Sequence, residues 1–226
     1  LAALLTPGGE AWTHIRDTVL PNYLRNTTLL MVLVGSLSAL IGVSTAWLCA
    51  TSEFPFRRTL TWALVLPLAA PAYVIAYVYT DLLEFAGPVQ TWLRALTGWQ
   101  SGEYHFPRIR SLPGAAIMLA LVLYPYVFLL CRATFVNQSS SLFEAGRVLG
   151  ASPVRAFFQI ALPSARPALA GGLALVLMET VADFGVVEYF GVPTFTTGIF
   201  RTWFSMGNQQ AALQLAAGLF SIVAAL

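Results

Sequence analysis

The sequence predicts an all-α, polytopic transmembrane helix bundle, and two observations carry that prediction. Hydrophobic residues make up 58% of the 226 residues and charged ones only 10%, against about 25% charge in an ordinary soluble chain; the mean hydropathy is +0.73. The few charges also fence off three uncharged runs, 26–52, 59–80 and 111–131. Each is long enough for a helix that crosses the hydrocarbon core, which takes about 20 residues.

Taken in order, residues 1–22 are expected to form an outer-surface segment. Leu1 to Leu5 is a short apolar stub before Pro7-Gly8-Gly9, read as the tail of a missing first helix, and the chain is read as a fragment of a longer protein. The run 26–52 predicts the first complete span. Its Gly35, Ser36, Ser38, Gly42 and Ser44 are small enough for another helix to approach closely. Glu53 to Arg58 reads as a tight loop. The run 59–80 predicts a second span, kinked by Pro67 and Pro71. Tyr73, Tyr77 and Asp81 recur every four residues and share one face of it.

Residues 81–110 form the longest polar insert. Trp92, Trp99 and Tyr104 suit a membrane–water interface, and Gln90 to Leu96 reads as a short surface helix. The run 111–131, with Pro125 inside, predicts a third span. Arg166 opens a fourth apolar helix carrying Glu179 and Asp183; 185–201 reads as a loop; Asn208, Gln209 and Gln210 mark the start of a fifth. The expectation is five helices plus the stub.

Between the third and fourth spans lies SLFEAGRVLGASPVRAFFQIALP, residues 141–163. Ser141 and Glu144 have capping-box spacing, and Gly150 is placed to end the first short helix. Ser152 caps a second, with Pro153 at its first position. Val154, Phe157, Phe158 and Ala161 are expected on one face, and Pro163 to stop the helix. The segment resembles the E-A-A loop of ABC-importer permeases: Glu144, Ala145, Gly146, then Gly150, then Ile160, Leu162 and Pro163 match its spacing, with Gly146 where the pattern has Ala. Tyr23 to Thr27 also resembles the opening helix of that permease core.

The resemblance implies a bundle of the ABC-importer permease core type over 23–226. In that family the loop at 141–163 is the coupling element that docks on a cytoplasmic ABC ATPase dimer. The other implied partners are a second permease half or subunit, a periplasmic substrate-binding protein and the lipid bilayer, in a bacterial inner membrane. No cofactor is expected on this chain; ATP and Mg would be used by the ATPase subunit. No phosphate-binding loop of the Gly-x-x-x-x-Gly-Lys type occurs, so no enzyme activity is expected here.

Glu179 and Asp183 are four apart and project from one helix face; Glu188 and Tyr189 follow. Carboxylates inside a bilayer are costly and usually face a bundle interior or an aqueous cavity. These four oxygen-bearing side chains are therefore the candidate lining of a translocation pathway, suited to a hard cation. The alternative is that they pair with Arg or cap neighbouring helices. The run 178–204, and Phe190 to Ile199 above all, resembles permeases of ferric-iron importers, which implies ferric cargo and the N-terminal half of a fused permease. The same machine carrying thiamine, a polyamine or an inorganic anion, and a gradient-driven transporter or channel, stay open as alternatives.

The remaining residues are less informative. A net charge of +2 gives no argument for nucleic acid. Cys49 and Cys131 are expected as free thiols, and His14 and His105 as isolated loop residues without metal partners. All twelve basic residues are Arg, and they divide six and six between the two sides of this topology, so charge does not orient the chain. The resemblance to the coupling loop does.

Overall fold

The computed structural model describes residues 10–100, 103–138 and 152–225, and among these every regular element is helical. In order they are α1 (Glu10–Thr18), α2 (Leu20–Thr51), α3 (Arg57–Ala63), a 3-10 turn (Leu66–Ala69), α4 (Ala72–Leu83), α5 (Pro88–Thr97) and α6 (Leu112–Asn137). There follow α7 (Pro153–Ala156), a π-turn (Phe157–Ala161), α8 (Leu162–Ser164), α9 (Arg166–Ala182), α10 (Gly185–Tyr189), α11 (Phe195–Phe200), a second π-turn (Arg201–Ser205) and α12 (Gln209–Ala224).

Leu20–Thr51 and Leu112–Asn137 are each long and apolar enough to cross a membrane alone. At 1.5 Å per residue α2 is about 48 Å long, well beyond a hydrocarbon core of about 30 Å. Arg57–Ala69 with Ala72–Thr97, and Val154–Ser164 with Arg166–Ala182, qualify as bent pairs, and Gln209–Ala224 is a shorter apolar helix. Hydroxyls inside the spans return to the carbonyl one turn back, as in Thr45 to Ile41 (2.6 Å), Thr80 to Ala76 (2.7 Å) and Ser221 to Ala217 (2.9 Å). That satisfies the hydroxyl where no water is available.

Contacts divide the chain into two compact units. The unit of 35–69 and 120–177 is packed through glycine. A Cβ on Gly42 would lie 2.7 Å from Val127 Cβ, and one on Gly172 would lie 2.9 Å from Val127 Cα. Val127 is fully buried. Trp47 packs against Phe135 (5.4 Å) and Phe157 (5.2 Å). The Arg57 guanidinium donates to the carbonyls of Cys49 (2.7 Å) and Ala50 (3.1 Å). It thereby caps the C-terminal end of α2 with a cation, where the helix dipole favours one. Cys49 and Cys131 are both buried free thiols.

The unit of 1–34, 70–119 and 178–226 is built on Ile15, Tyr23, Phe195, Ala211 and Leu215. Gly198 lets the Tyr23 ring lie against α11, because a Cβ there would meet Tyr23 Cε2 at 2.5 Å. Asn26 Nδ2 donates to the Pro193 carbonyl (2.9 Å). Asn208 caps α12 by accepting from the Ala211 amide (3.0 Å), and the helix starts where Asn208 to Gln210 were expected to mark it. In the polar insert, α5 covers the expected Gln90–Leu96 helix; Gln90 donates to the Leu83 carbonyl (2.8 Å) and accepts from Tyr104 Oη (2.8 Å).

Four expectations need correction. The run 59–80 is not one kinked span: α3 ends at Ala63, a 3-10 turn follows, and α4 restarts after Pro71. Pro67 and Pro71 each remove an amide within one stretch, and a break results in place of a kink. The segment 185–201 is not a loop but holds α10 and α11. The 10–18 segment is helical, so the exposed His14 sits on a helix.

The fourth concerns the second coupling helix. Ser152 does cap it, accepting from the Arg155 amide at 3.3 Å. The helix runs past Pro163 to Ser164, however, and widens into a π-turn at 157–161. That turn splits the expected apolar face: Ala161 is buried, whereas Val154 (67%) and Phe158 (61%) stay exposed. Ile160, Leu162 and Pro163 are half-buried. Glu144, Ala145, Gly146 and Gly150 lie outside the described residues.

Candidate translocation site

The expected pathway residues converge on the stretch from Glu179 to Arg201, within the unit of 1–34, 70–119 and 178–226. α9 ends at Ala182, and Asp183 turns back on the next helix. Its Oδ2 accepts from the amides of Val186 and Val187, both at 3.1 Å. These are first-turn amides of α10, which have no partner within the helix, so Asp183 serves as its cap. The Asp183 carbonyl in turn accepts from Thr196 Oγ1 (2.7 Å), which ties α11 to the same corner. Thr194 and Thr197 bond reciprocally at the start of α11.

Glu188, at the far end of α10, forms an ion pair with Arg201 at 3.3 Å. Tyr189 beside it stacks near Tyr77 (5.7 Å between centroids) and lies under the Arg110 guanidinium (4.8 Å). Arg110 also bonds Glu84 at 2.9 Å and Tyr189 Oη at 3.3 Å, so one cation holds the polar insert against α10. Gly185 is required next to α4: a Cβ would sit 2.9 Å from Tyr73 Cβ.

Glu179 is exposed and lies one turn before Asp183. Among the described residues no group of three His, Cys, Asp or Glu side chains could hold a metal ion. The four expected residues thus share a corner of the fold without forming a single ligand set. Asp183 and Glu188 realise the capping and Arg-pairing alternatives. Arg201 as the partner of Glu188, and Arg110 as the partner of Tyr189 and Glu84, were not anticipated. Their bonds span 26 to 79 positions for Arg110 and 13 for Arg201, and nothing local in the sequence marks them.

The cap makes a first prediction. Asp183→Ala removes an oxygen from two helix amides and is expected to cost about 1 kcal/mol of stability. Asp183→Asn keeps an acceptor there and should cost much less. Thermal midpoints of the purified variants in detergent check the difference; equal midpoints would show that the cap carries no weight.

Residues 38–226 match the family described as "Binding-protein-dependent transport system inner membrane component". This chain belongs to that family. Among curated relatives, the probable sulfate transport system permease protein cysT of Nephroselmis olivacea is 30% identical over 67% of this chain and 50% of its own length. The Fe(3+)-transport system permease protein FbpB 2 of Haemophilus influenzae is 29% identical over 88% of this chain and 35% of its own. The molybdenum transport system permease protein ModB of the same organism is 31% identical over 66% of this chain and 62% of its own. The chain therefore spans about a third to three-fifths of the length of these relatives.

The fold is similarly placed by solved structures. A bacterial ABC transporter involved in the import of the acidic polysaccharide alginate matches with a TM-score of 0.75, over 97% of this chain and 80% of that one, at 16% identity. The MetNI methionine ABC transporter in an inward-facing form matches with a TM-score of 0.70, over 96% of this chain and 93% of that one, also at 16% identity. The all-α bundle of the permease type is thus the observed fold, in an inner membrane component.

Proposed function

We propose that this permease works in an ATP-driven importer and moves ferric iron delivered by a periplasmic binding protein. The observation that carries the ferric reading is the extent of the FbpB 2 match: it runs through 199 residues of this chain, whereas the sulfate and molybdenum relatives cover 151 and 150. In this reading the segment 23–226 is the transmembrane domain and 141–163 couples it to a cytoplasmic ATPase dimer through Glu144, Ala145, Gly146, Gly150, Ile160, Leu162 and Pro163. A second permease half or subunit completes the path. ATP hydrolysis belongs to the separate ATPase subunit, which uses Mg. Glu179, Asp183, Glu188 and Tyr189 line the approach to the path, where carboxylate and phenol oxygens suit a hard cation.

A second reading, an inorganic oxyanion as cargo, is favoured by the sulfate and molybdenum relatives at 30% and 31% identity. Uptake by the full transporter in proteoliposomes, with binding protein outside and ATP inside, separates the two. ATP-dependent accumulation of labelled ferric iron, and none of sulfate or molybdate, is the expected result; the reverse pattern would replace the ferric reading. The orientation is tested alongside. A cysteine at Ser152 should react only with a thiol reagent that enters the cytoplasm, and one at Glu103 with an impermeant reagent outside. The inverted pattern would remove the docking role of 141–163.

A further inference from the structure

A cavity of about 470 Å³ lies between α1, the start of α2 and the second π-turn, lined among others by His14, Tyr23, Glu188, Arg201, Ser205 and Met206. All of these belong to one compact unit. Several features hold it open. Ile15 anchors α1 in the core beneath, so the neighbouring His14 is fixed at the rim. Gly198 admits the Tyr23 ring flat against α11. The π-turn, closed by a bond from the Met206 amide to the Arg201 carbonyl (3.0 Å), turns both Arg201 and Ser205 to the same space.

Ile15, Val19, Phe200 and Met206 make part of the lining apolar, and its polar part is lopsided. His14, Tyr23, Arg201 and Ser205 all carry N–H or O–H donors, and Glu188 is the one carboxylate. Arg201 presents five N–H groups in a planar fork. Glu188 engages it at 3.3 Å, with both side chains 40–48% exposed. That is longer than the 2.7–2.9 Å usual for a charge-assisted pair, and a pair so exposed is weak. A guanidinium with a loosely held carboxylate, facing a cavity otherwise supplied with donors, fits an anion with several acceptor oxygens better than a bare cation.

We propose that this cavity binds a small tetrahedral oxyanion on Arg201, in exchange for Glu188. Glu188 then acts as a resident stand-in: it occupies the guanidinium when the cavity is empty and swings off when the oxyanion enters. As a step in transport this rests on the importer reading above. The shared chemistry has two sources, an oxyanion that is itself the cargo or an oxyanion carried as a ligand on ferric iron.

The test is equilibrium binding to the assembled permease–ATPase complex in detergent, with radiolabelled sulfate or phosphate as probe, alone and with equimolar ferric ion. Wild type should bind saturably in at least one arm. Arg201→Gln should weaken binding about tenfold or more, as expected for loss of a charged hydrogen bond. Glu188→Gln should tighten it by up to about fivefold, because a weak competitor is removed. Ser205→Ala, a change with little risk to folding, should weaken it by a few-fold.

Binding of oxyanion alone identifies cargo, and binding only with ferric ion identifies a ligand of the metal; either result supports the site. No saturable binding in either arm would overturn it. So would binding indifferent to Arg201 and Ser205, or binding weakened by Glu188→Gln. Should Arg201→Gln fail to elute as an assembled complex, the opposite signs expected for Glu188→Gln and Ser205→Ala decide the matter. The importer reading fails separately, if ATP drives no uptake of any of these solutes while oxyanion binding persists.

Discussion

Glu144→Lys and Gly150→Asp are each expected to abolish ATP-driven uptake while the chain still inserts in the membrane. The motif spacing at 144–163 puts both positions in the segment proposed to dock on the ATPase. Reversing the Glu144 charge changes what that segment offers its partner. Asp at 150 replaces a glycine that the sequence alone suggests as a helix end, a place where backbone freedom favours glycine. Uptake normalised to membrane-inserted protein is the measurement, with ATPase co-purification as the second readout. Loss of uptake together with loss of co-purification is the expected pattern. Wild-type uptake in both variants would remove the coupling assignment.

The second large effect lies at the glycine contacts around Val127. Gly42→Leu forces a side chain into a space where even a Cβ would meet Val127 Cβ at 2.7 Å and the Phe128 amide nitrogen at 3.0 Å. Overpacking of this kind costs about 1–3 kcal/mol, and here the obstruction is backbone as well as side chain. Gly42→Leu and Gly172→Leu should both lower the yield of folded protein and its thermal midpoint. Val127→Ala should not rescue either one, because Val127 keeps its Cβ and Cα. Gly35→Ala is the control: its Cβ would meet only side-chain tips, Leu177 at 3.3 Å and Leu173 at 3.8 Å, and should be nearly silent. A midpoint for Gly42→Leu equal to wild type would mean these helices are not held at the observed distance.

These two predictions come from opposite ends of what the sequence makes legible. Hydropathy located the two long spans because a bilayer demands uninterrupted apolar length, and α2 and α6 supply it. Small residues in the first span indicated close approach, and Gly42 meets that expectation against Val127. The start of the last helix at Asn208 to Gln210 was legible because polar residues that open an apolar run are a local signal. The break after Ala63 was not: hydropathy over 59–80 reports composition and says nothing of the direction of the axis. α10 and α11, at five and six residues, are too short for a periodic pattern to emerge.

At the candidate site, Glu179, Asp183, Glu188 and Tyr189 were legible as polar groups in an apolar neighbourhood. Capping and Arg pairing stood as an alternative, but not which residue would do which. Asp183 sits two residues before the first residue of the helix it caps, outside the usual N-cap position. Arg110 and Arg201 reach their partners only through the folded chain. The guanidinium of Arg57 is a similar case, since its target is a pair of carbonyls and those leave no trace in side-chain identity.

The two π-turns also bear on how this chain tolerates length changes. A wide turn accommodates one residue more than the regular helix would over the same rise. Deleting a single residue from 201–205 would let the backbone re-form an ordinary helical ladder with little local damage. The residues that flank it would keep their facing, because the residue lost is the extra one that the wide turn holds. The same deletion inside α12 would turn the residues after it by about 100° and carry part of the buried stripe of Ala211, Ala212, Gln214 and Leu215 outward. The window at 201–205 therefore acts as slack in the chain: a residue lost there is absorbed where it falls, while one lost from the final helix is not.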